Sequence, residues 1–546
     1  MIDFKKELKD EIKIALRAMG ESADFEIEEP KNTKFGDLSS NVILTLAKKS
    51  QYKPEELFKK LTAKLPESRH FTRPEFAAGF LNFSLKKPVV EKSVRGIIAE
   101  GENYGRKTTG HGKKVNVEFV SANPTGQLHI GNARGGPIGQ TIANLYENYG
   151  YKVDREYYVN DFGVQVDKLA RTLHFYYKKK SDPKLLMDGN QYPGKFIEDV
   201  FKEIYQESEK ALAEKTEEEQ IALFAKEGLL KLLNTIKGQL EYLGIEYDKW
   251  VYESEILCAN KTDRAVEMLK KADATSSTEG ALWLKIPEDP DLKDRETVLQ
   301  KSDAEKSYTY FANDIAYHLD KLERGYVKAV DVWGANHFGH VPRLTAAMRA
   351  LGAPEDWLKI ILYQNVRLKN GNEIEQMSKR KGNTVTVDDL RQAGIEADVF
   401  KYMILSHDQN SLIDFDVKLA KDTSEKNPVY YAKYAHARIS SILKKIGEDK
   451  EDREDIKLTE DAEILLAKEL MKYPEIVSDT FSDLKLQRLP HFALNLATKF
   501  HTFYDKCRII GEKKEVMESR INLIKATQIV LKNLFWIMGI EPPEKM

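Results

Sequence analysis

The sequence predicts an α/β protein built around a doubly wound parallel sheet, with an N-terminal α+β domain before it and a C-terminal all-helical domain after it. Three observations predict this. A strand-like run at Val115–Val120, a Pro/Gly loop at Ser121–Gln127, a helical stretch over about Asn132–Tyr149 and a strand at Val153–Val159 make a βαβ unit, whose strands run parallel. Strand-like segments return at Ala281–Ile286 and at Val327–Trp333, the latter followed by a helix at Val341–Leu351, so the doubly wound alternation resumes. From Pro428 onward only helical periodicity occurs, at Tyr430–Lys445, Asp461–Tyr473, Pro490–Arg508 and Ser519–Met538.

Taken in chain order, residues 1–105 read as helix, helix and short strands ending in the apolar run Phe76–Leu85, and the Gly- and Lys-rich Gly101–Lys114 reads as a linker. The central Rossmann-like domain is expected over 106–416. A helical insertion interrupts it at about 175–275, where Leu229, Leu232, Leu233, Ile236, Leu240 and Leu243 stack on one face. Residues 417–546 form the helical domain. A chain of 546 residues exceeds what one core serves, which accords with several domains.

Hydrophobic residues at 41% and charged residues at 32% suit packed cores and exclude a largely disordered chain. The formal net charge of −2 offers no global basic excess, so any RNA contact must come from local patches. Cys258 and Cys507 are the only cysteines and lack ligand spacing, which leaves neither a cysteine-rich zinc site nor a disulfide framework and suits a reducing compartment. Met1–Gly20 lacks the apolar core of a signal peptide, and Ile521–Ile540 is broken by Lys525, Lys532 and Asn533. A soluble, cytoplasmic protein with no membrane partner is expected.

The segment Asn123-Pro-Thr-Gly-Gln-Leu-His-Ile-Gly-Asn132 lies between a strand and a helix, a junction that suits anionic phosphate. Gly126 and Gly131 allow tight turns and close backbone approach, and His129 donates to a phosphate or ribose oxygen. Gln376-Met-Ser-Lys-Arg-Lys-Gly-Asn383 is a polar, basic stretch suited to a loop that closes over a nucleotide, with Lys379 offsetting charge on a pentavalent phosphorus. Alone, such a basic stretch is more often solvated surface.

The two segments, in this order, resemble the His-x-Gly-His and Lys-Met-Ser-Lys-Ser signatures of class I aminoacyl-tRNA synthetases. Asn132 stands where the family has its second histidine and Gln376 where it has its first lysine. An asparagine amide donates a hydrogen bond but never carries positive charge, so the rate or pH dependence of adenylation is expected to differ from the family's. The resemblance implies an ATP site at Gly126, His129, Gly131, Asn132, Met377, Ser378 and Lys379, of which His129 and Lys379 are catalytic. ATP enters as its Mg2+ complex, and no zinc or prosthetic group is expected.

A guanidinium is best held by a facing carboxylate. In Tyr308–His318 a helix sets Tyr310 and Asp314 one turn apart on one face, although Asp314 also reads as an ordinary surface acid. The stretch is similar to the arginyl-tRNA synthetase motif in which a tyrosine and an aspartate hold the substrate guanidinium. Gly334–His340 is similar to the segment that follows it, with His337 lining the same pocket. By the same resemblance Ser121 and Asn123 lie near the substrate's amino and carboxylate groups, with Asp161 and Gln165 as further candidates.

Matches also occur at Gly280–Leu284, Lys301–Asp303 and Asp414–Asp416, so the likeness covers nearly the whole chain. Asn427–Tyr431, Tyr434–Arg438 and Phe500–Arg508 resemble the family's anticodon-binding domain. Most of their aromatic residues read as helix core, with Arg438, Tyr504 and Arg508 as candidates for RNA contact. Pro30–Asp37 resembles the additional N-terminal domain, which contacts the outer corner of tRNA. The implied partners are tRNA(Arg), L-arginine and ATP, and the implied state is a monomer.

Overall fold

The structure is a computed structural model that describes residues 3–187, 191–192, 194–285, 297–304, 306–370, 373–375, 385–447 and 456–546. The chain divides into two compact units, one of Met1–Gly101, Leu443–Lys472 and Thr498–Val530, the other of Glu102–Ile442, Tyr473–Ala497 and Leu531–Met546.

In the first unit the helix Phe4–Ala18 starts on Asp3, whose carboxylate accepts the Lys6 N–H at 2.9 Å, and turns Leu8, Ile12 and Leu16 inward. These residues pack with Val42, Leu57, Leu61, Phe71 and Leu81. The strands Ile27–Glu28, Leu38–Ser40, Phe80–Phe83 and Glu75–Ala77 form an antiparallel sheet in that order. Asp37 accepts from the Leu85 N–H at 2.7 Å and from Lys468 Nζ at 2.8 Å.

The second unit holds the parallel sheet. Its strands are β1 (Lys114–Phe119), β2 (Lys152–Val159), β3 (Lys249–Tyr252), β4 (Lys328–Gly334) and β5 (Leu358–Tyr363), in spatial order β5-β4-β1-β2-β3 with every pair parallel. That is the doubly wound order, so the crevice beyond the carboxyl ends of β1 and β4 is the switch point where such folds bind ligands. Helices α1 (Ile130–Ala133) and α2 (Gly135–Asn148) follow β1. A Cβ on Gly139 would lie 2.1 Å from the Phe119 ring, so only glycine lets α2 lie this close to β1. Helices α3 (Glu217–Tyr242), α4 (Glu253–Cys258) and α5 (Tyr310–Glu323) complete the elements around the crevice. Ile315, Ala316 and Leu319 of α5 pack with Ala329, Leu344, Met348 and Trp357.

Two expectations change. Ala281–Leu284 is a strand, but it joins Thr275–Thr278 and Val298–Gln300 in a separate antiparallel sheet. A short apolar run reports strand propensity and says nothing of its partner. The helical segment expected from Phe175 begins at Val164, as the helix Val164–Ser181. It packs Leu169 and Leu173 against Phe201, Phe224 and Leu232 in the insertion's own core. C-terminal helices run over Pro428–Ile446, Asp461–Asp483, Arg488–Lys506 and Lys514–Met538.

Candidate active site

At the end of β1 the backbone turns sharply. Ser121 N–H donates to Phe119 O at 2.9 Å, closing a γ-turn with φ +66° at Val120, and φ is +36° at Ser121. Left-handed backbone is costly for a β-branched residue and is kept where the surroundings over-determine it. Here Ser121 Oγ donates to Glu118 Oε1 at 2.9 Å and accepts from the Tyr158 N–H at 3.1 Å. Gly126 and Gly131, the glycines expected to make tight turns, both have negative φ, and the left-handed turn falls at Val120 and Ser121 instead. Gly126 instead has open space beside its Cα, and Gly131 is buried in α1.

His129 caps α1: its Nδ1 accepts the Asn132 N–H at 3.2 Å, which in a neutral ring leaves the proton on Nε2 as a donor. The backbone of this segment pairs with residues just beyond the second signature. Ile130 N–H donates to Val385 O at 3.0 Å, Val387 N–H donates to Leu128 O at 2.9 Å, and His129 faces Thr386 in an antiparallel bridge. Met377, Ser378 and Lys379 lie outside the described residues. The strands Val366–Asn370 and Glu373–Glu375 precede them in the chain.

Arg134 joins α1 to α2 and is fully buried. Its guanidinium donates to the carbonyls of Gln364, Asn365, Asp408, Gln409 and Ser411 at 2.6 to 3.4 Å. Burial lowers its pKa to about 10, still far above neutrality. One buried cation thus gathers two separate stretches of chain, 364–365 and 408–411, around a residue just past the first signature.

On α5, Tyr310 and Asp314 sit one turn apart, with Thr309 as N-cap. Tyr310 is half exposed, and its hydroxyl lies 3.4 Å from the Val164 N–H, which donates to it. Asp314 is partly buried. Burial, together with the like charges of Glu253, Glu118 and Asp331, raises its pKa to about 7, against the opposing pull of His318. Removed from water and short of countercharge, such a carboxyl is made stable as an anion by an incoming cation.

Under it lies a buried ionic network. Lys321 Nζ donates to Glu118 Oε2 at 2.6 Å and to Asp331 Oδ1 at 2.9 Å, and His318 Nε2 lies 2.6 Å from Asp331 Oδ2. Glu156 takes Arg324 Nη2 at 2.8 Å and the Tyr317 hydroxyl at 2.6 Å. Lys321 and His318 pull Asp331 down to about 2. Among the described residues Glu118, His318 and Asp331 are the one group with ligand atoms close enough for a metal, but the Lys321 ammonium already bridges its two carboxylates.

Other expected residues are placed as follows. Asn123 is exposed after the turn, and Gln165 is exposed in the first turn of its helix. Both Asp161 oxygens take Ser254, from its N–H at 2.9 Å and its hydroxyl at 2.6 Å, at the start of α4. His337, in the short helix Ala335–His340 after β4, has its ring 5.8 Å from Trp333 and 5.9 Å from His340. In the second unit the Arg438 guanidinium lies 5.0 Å over the Tyr434 ring. In the first unit the Tyr504 ring is 6.1 Å from Phe500, and Arg508 Nε donates to Ile510 O at 2.9 Å.

Sequence reasoning missed Glu118, Lys321, Arg134 and Gln239. Gln239 carried a signal, since it sits on the same helical stripe as Ile236 and Leu243 and a polar residue among buried leucines needs partners.

A doubly wound sheet with a strained turn and a helix-capping histidine at its switch point has the layout of a nucleotide-binding catalytic domain, and residues 93–443 match the class I (R) tRNA synthetase catalytic domain. Residues 4–85 match the arginyl tRNA synthetase N terminal domain, and 432–546 the DALR anticodon binding domain. The chain is 36% identical to arginine–tRNA ligase 1 of Halalkalibacterium halodurans over the full length of both. It is 37% identical to the arginine–tRNA ligase of Carboxydothermus hydrogenoformans, covering 96% of this chain and 94% of that one. Thermus thermophilus arginyl-tRNA synthetase, 22% identical, shares the fold over all of both chains with a TM-score of 0.77. The chain belongs to the arginyl-tRNA synthetase family.

Proposed function

We propose that this chain is an arginine–tRNA ligase that activates L-arginine with ATP and transfers it to the 3′-terminal ribose of tRNA(Arg). The observation that carries the reading is Asp314: a carboxyl short of countercharge beside the half-exposed Tyr310 ring, on a helix at the crevice, suits a planar cation.

The arginine carboxylate attacks the α-phosphorus of ATP, a new P–O bond forms and pyrophosphate leaves. Magnesium arrives with ATP as part of the substrate complex. His129, with its proton on Nε2, orients the nucleotide, and Lys379 offsets the charge on phosphorus. The terminal ribose hydroxyl of the tRNA then attacks the arginyl carbonyl, and AMP leaves. Ser121 and Asn123 hold the amino-acid end, His337 lines the side-chain pocket, and Asp161 and Gln165 border it.

The N-terminal domain, the helical residues Arg438 and Tyr504, and Arg508 just past the end of its helix hold the tRNA. The enzyme acts as a monomer in the cytoplasm, a setting that suits an exposed Cys258 thiol and a buried, unpaired Cys507. Zinc has no part in the reaction.

Arginine-dependent ATP–pyrophosphate exchange tests the reading. Exchange with arginine in the presence of tRNA(Arg), and none with lysine, is expected. Exchange driven equally by another amino acid would overturn it.

A further inference from the structure

Gln239 of α3 is only 2% exposed, and both ends of its amide are engaged at the first signature. Its Oε1 accepts the Leu128 N–H at 2.8 Å, and its Nε2 donates to Asp388 Oδ2 at 2.7 Å. The same Asp388 oxygen accepts Gln127 Nε2 at 2.9 Å. Around this amide the backbones of residues 128–130 and 385–387 exchange two hydrogen bonds. Thr386 and Asp389 lock the outgoing helix Val387–Gln392 in a capping box.

A buried amide with both ends satisfied has one low-energy orientation, and losing it strands a backbone N–H and a carboxylate together. The bridged segment 385–387 comes two residues after the second signature, and residues 128–130 lie within the segment that carries the first. The amide therefore ties the C-terminal anchor of one signature to the other, from a helix that contributes no group to the chemistry.

We infer that Gln239 is a positioning residue for adenylate formation: with Asp388 it fixes residues 127–130 of the first signature segment against residues 385–388, which follow the second signature in the chain, and so acts on the rate of the chemical step more than on arginine binding. This rests on the ligase reading above. Groups that touch the transition state must be held to within a fraction of an ångström, whereas ground-state binding of arginine at Asp314 does not involve this bridge.

The experiment compares Gln239→Leu, Gln239→Glu, Asp388→Asn and the swap Gln239→Glu/Asp388→Asn by arginine-dependent ATP–pyrophosphate exchange with tRNA(Arg) present. Gln239→Leu is expected to lower kcat by roughly tenfold or more while the KM for arginine stays within about twofold. Gln239→Glu sets a second carboxyl against Asp388, and two such acids share a proton. The protonated pair keeps a donor towards Asp388, so this variant's kcat should approach that of the parent at low pH and fall as pH rises through the pair's raised pKa. Among the described residues, the charged or titratable groups nearest the pair in the chain have partners of their own: Asp389 accepts from Thr386 Oγ1, Arg391 lies 5.5 Å over the Tyr242 ring, and His129 Nδ1 accepts the Asn132 N–H.

The swap reverses donor and acceptor at constant charge, with the Gln127 amide turned over so that its Oε1, in place of its Nε2, meets the new amide at position 388. It is expected to recover kcat to within about threefold of the parent and to flatten the pH profile, which a merely structural defect would not do. Full kcat in Gln239→Leu, or a swap no better than its single changes, would overturn the inference. An unmodified protein that exchanges no pyrophosphate with arginine would instead overturn the ligase reading.

Discussion

Lys321 Nζ lies 2.6 Å from Glu118 Oε2 with none of its side chain exposed, and the other oxygen of Glu118 holds the hydroxyl of Ser121 in the strained turn. A lysine on α5 thus supports the backbone at the end of β1, one strand away. Lys321→Met should leave Glu118 and Asp331 buried without their cation, at a cost of about 3–5 kcal/mol. Urea denaturation measures it. A cost below about 1 kcal/mol would contradict the view that this cation holds the network.

With arginine bound at Asp314 as proposed, the raised pKa of that carboxyl makes binding a proton-releasing event. Unfolded, the carboxyl ionises near its ordinary value of 3.8, whereas in the folded, unliganded protein it keeps its proton up to about 7. Its contribution to folding stability therefore falls as pH rises from about 4 to about 7, because the native state binds the extra proton there. A bound guanidinium favours the anion, so affinity for arginine should rise with pH and level off above about 7. Calorimetry at pH 6 in buffers of different ionisation enthalpy should show close to one proton released. In Asp314→Asn that release should vanish.

Gly163 has φ +86°, and a Cβ there would lie 2.8 Å from the Tyr310 hydroxyl. Gly163→Ala should displace that ring and raise the KM for arginine roughly tenfold, equivalent to about 1.4 kcal/mol. The KM for ATP should be little changed, and steady-state kinetics separates the two.

Arg134 gives a contrasting case, since its five carbonyl partners are backbone and no ligand role is needed. Arg134→Met should destabilise the fold by about 3 kcal/mol or more, because several buried carbonyls lose a charged donor at once. Thermal unfolding checks it.

How much of this was legible in the sequence depends on how local each signal is. The βαβ unit was readable because strand, turn and helix alternate within one stretch, and Tyr310 and Asp314 were readable as a pair because a helix fixes their spacing. The fate of Ala281–Leu284 was not, since strand propensity does not name a partner. Nor was the charge environment of Asp314, which comes from Glu118, Glu253 and Asp331 on three other elements. Val120 shows the same limit: nothing in its residue type announces a left-handed turn, whereas the nearby glycines Gly126 and Gly131 permit one and do not make it.

The most direct test of the central claim is charging of a tRNA(Arg) transcript with labelled arginine, beside labelled lysine and glutamine, in the unmodified protein and in Asp314→Ala and Lys379→Ala. Charging with arginine alone, lost in both variants, is expected. Undiminished arginine charging by Asp314→Ala, or charging with lysine or glutamine, would contradict the claim.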